Sequence, residues 1–360
     1  MNSFKELGIT PSILSILERG KFTVPTPIQQ QSIPPAIEGK DVIGIAQTGT
    51  GKTLAFGIPL IQRIAKHGGR GLIVLPTREL AQQGNDMLMR IGRSLGLRTA
   101  VLIGGESMRR QTADLKKNPH VIIATPGRLI DHLEQKTVTL SDIKILVLDE
   151  ADRMFDMGFS PQIHTILKAL PRPSERQTML FSATMPDEIV SIAARNMALP
   201  VRVEVAPAGS AAEQVTQEII IVKRERKMDI LLSLLQKYTG TVLVFTRTKH
   251  GASKIAHALR LANQNATDIH SNKSLVQRRK ALDGFKAGTY RVLVATDIAA
   301  RGLHITNIEL VINFDLPENA EDYVHRIGRT GRAGKEGIAV SLATPDQQGE
   351  LRSIERLIRK

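Results

Sequence analysis

The run Ala46-Gln47-Thr48-Gly49-Thr50-Gly51-Lys52-Thr53 lies between a short apolar stretch, Val42 to Ile45, and a helical pattern from Leu54 to Ile64. Few eight-residue runs restrict a fold so tightly. A glycine-rich loop passing from strand to helix turns backbone N–H groups inward around phosphates, and the helix dipole favours an anion there. In this reading Gln47, Thr48, Gly49, Thr50 and Gly51 wrap the phosphates and Lys52 reaches the β- and γ-phosphates, while the Thr53 hydroxyl ligates Mg²⁺. Ala46 stands where such loops usually carry their first glycine.

A second run supports the first. Ile145-Leu146-Val147-Leu148 is a short apolar stretch of the kind buried in a parallel sheet, and Asp149-Glu150-Ala151-Asp152 follows it directly. Open α/β sheets hold ligands at the carboxyl ends of their strands. Asp149 fits the carboxylate that holds Mg²⁺, and Glu150 is placed to orient and deprotonate an attacking water. The plain alternative is an acidic strand end that caps the next helix. Together the two runs predict a nucleoside triphosphate bound with magnesium and hydrolysed.

The net charge of +14 makes a polyanion the expected macromolecular partner. With no cysteine, the chain has neither a disulfide framework nor a cysteine zinc site. Met1 to Glu6 lacks the basic segment and apolar core of a secretion signal, and no stretch reaches the roughly 18 uninterrupted apolar residues of a membrane span. The expectation is a cytoplasmic protein without a membrane.

Apolar runs recur between helical segments: Val42–Ile45, Leu72–Leu75, Val121–Ala124, Ile145–Leu148 and Met179–Phe181, then Ile219–Val222, Val242–Phe245, Val292–Ala295, Leu310–Asn313 and Ile338–Leu342. Such alternation predicts parallel sheets covered on both faces. Residues 206–214 are small and polar and read as a flexible linker between domains at 1–205 and 215–360. Only the first half carries a phosphate loop. The second half contributes Tyr323-Val324-His325-Arg326-Ile327-Gly328-Arg329-Thr330-Gly331-Arg332. Three-residue spacing on a short helix puts Arg326, Arg329 and Arg332 on one face, where a guanidinium suits a γ-phosphate in its transition state. A solvated basic helix is the plain alternative.

Taken in order, these motifs resemble the DEAD-box RNA helicases along nearly the whole chain. Within that family the stretch Asp149-Glu150-Ala151-Asp152-Arg153-Met154-Phe155-Asp156-Met157-Gly158-Phe159 is similar to the bacterial RhlE-like branch. The resemblance implies α/β architecture with two tandem RecA-like domains of the P-loop NTPase type, each a mostly parallel sheet flanked by helices. It implies ATP and Mg²⁺, and closure of the domains over ATP and RNA with local strand separation. Residues of about 2–30 resemble the adenine-recognising Q motif, with Phe22 stacking on the base and Gln29 offering donor and acceptor to its edge; Phe4 resembles an upstream packing aromatic. Lys52, Asp149, Glu150, Arg329 and Arg332 match the catalytic positions, and Asp297 a nucleotide-binding one. Asp152, Ser182, Thr184 and His325 match residues that link nucleotide state to unwinding. Read plainly, Ser182 is a helix N-cap.

The expected RNA contacts are Thr77, Arg78, Gly105, Thr125, Gly127 and Arg128 in the first half, and Arg247, Arg278 and Thr296 in the second. They suit phosphates, which fix register but carry no sequence information. Aromatics are only 3% of the chain with no Trp, which argues against base-stacking platforms and for backbone recognition. Ribosomal or RNA-degradation assemblies are the candidate protein partners, and a monomer is expected. Two positions depart from the family pattern. His304 stands where Asp is usual near the ATP ribose, and Leu275 replaces a usual Gln leading to Arg278. The plain reading of both is tolerated drift; the sharper one is weakened closure, giving low ATPase turnover or altered RNA release, and His304 keeps an ATP-gated RNA clamp as a second reading of the chain.

Overall fold

In this computed structural model the described residues are 3–47, 49–205, 215–300, 308–317, 320–331 and 337–358. Thr48, the linker 206–214, His304 and Arg332 lie outside them. The chain divides into two units, Met1–Ala206 and Pro207–Lys360, each built around one parallel sheet.

The first unit holds β1 (Val42–Ile45), β2 (Arg70–Val74), β3 (Thr99–Leu102), β4 (Val121–Ala124), β5 (Ile143–Leu148), β6 (Gln177–Ser182) and β7 (Val201–Glu204). Their order is β3-β4-β2-β5-β6-β1-β7. The second holds β8 (Val215–Ile221), β9 (Val242–Phe245), β10 (Ala266–Ile269), β11 (Val292–Ala295), β12 (Leu310–Asn313) and β13 (Gly337–Ala343), in the order β10-β11-β9-β12-β13-β8. Pairing is parallel throughout. Parallel neighbours require a crossover, and helices supply it on both faces.

The central strands β1, β4, β9 and β11 carry no polar side chain for that reason. In β9, Leu243 and Phe245 pack with Phe285 and Tyr323 on one face, while Val242 and Val244 pack with Leu231 and Leu259 on the other. Three strands, β3, β7 and β10, escape the apolar-run pattern, and all three are sheet edges. An edge strand is half solvated, so it alternates; Val201-Arg202-Val203-Glu204 shows this, with Arg202 and Glu204 exposed. Two registers then matter. Ile45 of β1 lies opposite Ser182 of β6, and Leu148 of β5 opposite Leu180 of β6. The carboxyl ends of β5, β6 and β1 therefore stand side by side. Among the described residues no helix is long and apolar enough to cross a membrane.

Candidate nucleotide and nucleic-acid site

The loop after β1 leads into a helix, Lys52–His67, whose N-cap Gly51 has φ 94°. Gly49 is likewise left-handed, at φ 91°. Gly51 is held from a second element: Gln29 Nε2 donates to its carbonyl at 3.0 Å, and a Cβ on Gly51 would lie 2.3 Å from that nitrogen. Gln29 Oε1 meanwhile accepts from Thr26 N at 2.9 Å at the start of the helix Pro27–Glu38. The Gln29 amide thus binds the phosphate loop and caps its own helix, which leaves one amide hydrogen and one lone pair for a base edge. Thr50 Oγ1 closes the loop onto Gln47 O at 2.7 Å. Ala46, in place of a glycine, extends the strand: its N–H donates to Ser182 O at 2.9 Å and its carbonyl accepts from Lys52 Nζ at 3.1 Å. The Phe22 ring is half-buried with the Arg90 guanidinium 5.4 Å from its centroid. Phe4 is buried.

Lys52 Nζ lies 3.0 Å from Glu150 and 4.0 Å from Asp149. Glu150 also accepts from Arg153 Nε at 3.0 Å, and adopts φ 54° where β5 turns into the helix Ala151–Asp156. All four side chains are buried, as is Asp152. Burial raises the Asp149 carboxyl, and the Glu150 and Asp152 charges add to this against the pull of Lys52. Burial alone would lower the Lys52 ammonium, but Glu150 and Asp149 more than reverse it. With every group ionised, the three buried carboxylates exceed Lys52 and Arg153 by one negative charge, and burial pushes the Asp149 carboxyl up to about 7 against that state. A divalent cation fits this donor set: Asp149 offers an oxygen beside Lys52, and Thr53 follows Lys52 in the first turn. Among the described residues no three acidic or histidine side chains form a closed metal cage.

Asp152 ties β5 to β6. Its Oδ2 accepts from Ala183 N at 3.1 Å, Thr184 N at 3.0 Å and Thr184 Oγ1 at 3.1 Å, while Ser182 Oγ accepts from Asp152 N at 3.1 Å. Ser182 is therefore not the N-cap of the helix that follows it, Asp187–Asn196, where Pro186 stands. It caps the Ala151–Asp156 helix from another strand. Arg153 escaped the sequence reading; its position three residues after Glu150 on a helix was the available signal.

The other half of the first sheet, β3-β4-β2, carries the residues expected to face RNA. Thr77 is the N-cap of the helix Arg78–Gly92 and accepts from Leu80 N at 3.3 Å. The Arg78 guanidinium lies over the Gly104–Gly105 turn: a Cβ on Gly105, whose φ is 81°, would stand 2.4 Å from Arg78 Nη1. Thr125 is the N-cap of the helix Pro126–Glu134, and a Cβ on Gly127 would meet nothing within 4 Å. Arg128 is fastened to protein, donating to Glu106 O at 3.0 Å, Gln111 Oε1 at 3.2 Å and Asp131 at 3.2 Å.

In the second sheet Arg278, Thr296 and Arg247 follow β10, β11 and β9, the matching three strands. Arg278 and Thr296 are buried. Arg247 is exposed, its Nη2 3.9 Å from Glu350 and its N–H donating to Asp315 at 3.1 Å. Leu275 begins the helix Leu275–Lys286. The arginine-rich segment differs from expectation. The helix is Ala320–Ile327, so Arg326 lies on it and Arg329 in the turn beyond. Arg326 is structural: it grips Asp297 at 2.6 and 2.7 Å, Asp315 O at 2.6 Å and Asn313 at 3.2 Å, 5.1 Å from the Phe245 centroid. Both Asp297 oxygens are thereby engaged by protein. His325 and Arg329 line a small cleft with Asp297 and Asp322.

The two units define a nucleoside-triphosphate hydrolase with two parallel-sheet, RecA-like domains, one of them bearing the phosphate loop. A family model described as DEAD/DEAH box helicase matches residues 26–192, and one described as helicase conserved C-terminal domain matches 226–334. The DEAD-box ATP-dependent RNA helicase CshA of Bacillus cereus is 44% identical over 363 residues, covering 100% of this chain and 69% of that protein. The ATP-dependent rRNA helicase RRP3 of Candida albicans is 45% identical over 346 residues, covering 95% of this chain and 64% of that one. The structure of Mss116p, with NTE and C-tail deleted and bound to ssRNA and AMP-PNP, is similar with TM-score 0.89 and 29% identity, over 99% of this chain and 77% of that one. The chain belongs to the DEAD-box ATP-dependent RNA helicases.

Proposed function

We propose that this helicase hydrolyses ATP with Mg²⁺ at the ends of β1, β5 and β6, and grips RNA by its backbone at the ends of β2, β3 and β4 of the same sheet. The division of one sheet between a buried Lys52–Asp149–Glu150 cluster and the Arg78–Gly105–Thr125 edge carries the reading. Thr53 and Asp149 would hold Mg²⁺, which when bound neutralises phosphate charge. Lys52 leaves Glu150 for the phosphates, and Glu150, still held by Arg153, orients the water and takes its proton. Phe22 and Gln29 hold the adenine, while Arg329 and Arg332 supply cationic charge to the transition state. Asp152, bonded to Ala183 and Thr184, carries the nucleotide state from β5 to β6. Arg247, Arg278 and Thr296 extend the phosphate grip.

Assignment to the RhlE-like branch rests on the stretch Asp149 to Phe159, whereas CshA belongs to a different branch. A monomer acting on ribosomal or RNA-degradation assemblies in the cytoplasm completes the proposal; the basic charge supports only the polyanionic partner, and likeness to a relative named as an rRNA helicase supports ribosomal RNA. The test is steady-state ATP hydrolysis with single-stranded RNA, with single-stranded DNA, and with Glu150→Gln. Stimulation by RNA alone, lost by at least about 100-fold in the variant, is expected. Equal stimulation by DNA, or full activity in the variant, would overturn the reading.

A further inference from the structure

A buried polar chain runs beneath the turn that carries Gly104, Gly105 and Glu106. Gln111, on the helix Met108–Leu115, donates from Nε2 to Ile103 O at 2.8 Å, and its Oε1 receives both Arg128 Nη1 at 3.2 Å and His132 Nε2 at 3.0 Å. Gln111 is 2% exposed and His132 is fully buried. Arg128 only donates and Ile103 O only accepts, so the amide has a single orientation. His132 Nε2 must then carry its proton, and the bare Nδ1 lies 2.7 Å from Thr137 Oγ1, whose single proton it shares with His132 O at 3.1 Å. Burial, with Arg128 nearby, lowers the imidazole and keeps it in this neutral form despite Asp131.

Each link of the chain holds something that reaches the turn. Ile103 immediately precedes Gly104, and Arg128 Nη1 also binds Glu106 O, so the turn is pinned at both ends. Arg78 in turn packs against the two glycines between those pins. A shift of the turn moves the Arg78 guanidinium, the Arg128 guanidinium and the backbone N–H groups of the turn together.

We infer that Gln111 and His132 are positioning residues for RNA: neither reaches solvent, yet they set the geometry of the phosphate-gripping turn through Ile103 and Arg128. This rests on the proposed placement of RNA at Arg78 and Gly105. Loss of a hydrogen bond to a charged group in such a chain corresponds to roughly a tenfold change in binding. Gln111→Leu and His132→Leu are expected to raise the half-saturating RNA concentration about tenfold in RNA-stimulated ATP hydrolysis, with kcat at saturating RNA within about twofold. His132→Gln, which keeps a donor near Nε2, is expected to restore the wild-type value.

Arg78→Ala separates the two levels of the argument. If Arg78→Ala weakens RNA and both leucine variants do not, the positioning role is overturned. If Arg78→Ala also leaves half-saturation unchanged, the RNA placement falls and the inference with it. Should a leucine variant fail to fold, Gln111→Asn, whose amide is one methylene too short to reach Ile103 O and Arg128 together, takes its place: a weaker RNA response is expected, and an unchanged one overturns the positioning role.

Discussion

A side chain at position 51 would collide with Gln29, and this gives a coupling that is measurable in solution. The Cβ introduced by Gly51→Ala would stand 2.3 Å from Gln29 Nε2, and the residue would have to keep φ near 94°. Left-handed backbone costs an L-residue roughly 1–2 kcal/mol. Displacing the Gln29 amide breaks two hydrogen bonds, to Gly51 O and from Thr26 N, each worth about 0.5–1.5 kcal/mol. Gly51→Ala should therefore cost about 2–5 kcal/mol, and Gln29→Ala about 1–3 kcal/mol. In the double variant the amide is absent, so Gly51→Ala adds only its backbone strain. The two changes should fall short of additivity by about 1–3 kcal/mol.

Urea unfolding of the four proteins measures this, read at the transition that ADP shifts, since a ligand stabilises only the unit that binds it. The KM for ATP should rise in both single variants. Additive losses within about 0.5 kcal/mol would refute the argument, because they would mean that Gln29 does not clamp the loop in solution.

Three further outcomes are expected. Arg326→Lys should cost about 3–5 kcal/mol in urea unfolding, since a lysine cannot replace a buried fork gripping Asp297, Asn313 and Asp315; a loss under about 1 kcal/mol would refute its structural role. Burial lowers His132 and His270, so below about pH 6.5 the unfolded chain takes up protons that the fold resists. Stability should fall as pH drops through that range, and His132→Gln should flatten the slope in urea midpoints taken from pH 8 to pH 5. His304→Asp should raise RNA-stimulated turnover, and an unchanged rate would make the histidine a neutral replacement.

The legible part of this chain was whatever its neighbours along the sequence determine. Lys52 follows its loop and Glu150 its strand, so the loop and the acidic strand end were each readable in one short run. Arg326 with Asp297 and Gln111 with His132 are pairs 29 and 21 residues apart, and no periodicity announces them. Spacing alone suggested three equivalent arginines; the helix ending at Ile327 and the buried partners of Arg326 divide them. Gln29 shows a milder failure. Its amide bonds in two directions, capping its own helix and holding Gly51, and only the first of these was readable from its place after Pro27.

The strand orders show how one of two matching sheets comes to carry the nucleotide loop. With β3-β4-β2-β5-β6-β1 set against β10-β11-β9-β12-β13-β8, each strand has a counterpart at the same place. The repeated half is detailed: Thr77 after β2 and Thr248 after β9 are both helix N-caps, accepting from Leu80 N and Gly251 N. Thr125 follows β4 as Thr296 follows β11. The other half is not repeated, since β8 occupies the place of β1 but the helix Lys227–Lys237 that follows it has no glycine loop and no left-handed N-cap. An RNA grip that needs strand ends and helix N-caps can be built twice by duplicating a sheet. A triphosphate site needs one loop, one lysine and a pair of carboxylates in a single buried cluster, so its information must leave through fixed neighbours. In the first sheet β5 is the border strand: on one side it pairs with β2, whose end leads to Thr77 and Arg78, and on the other with β6, where Asp152 bonds Ala183 and Thr184. On the proposed reading, Asp152→Ala should separate hydrolysis from unwinding more than it impairs either nucleotide or RNA binding; loss of ATP binding in that variant would show instead that the β5–β6 link serves only to build the site.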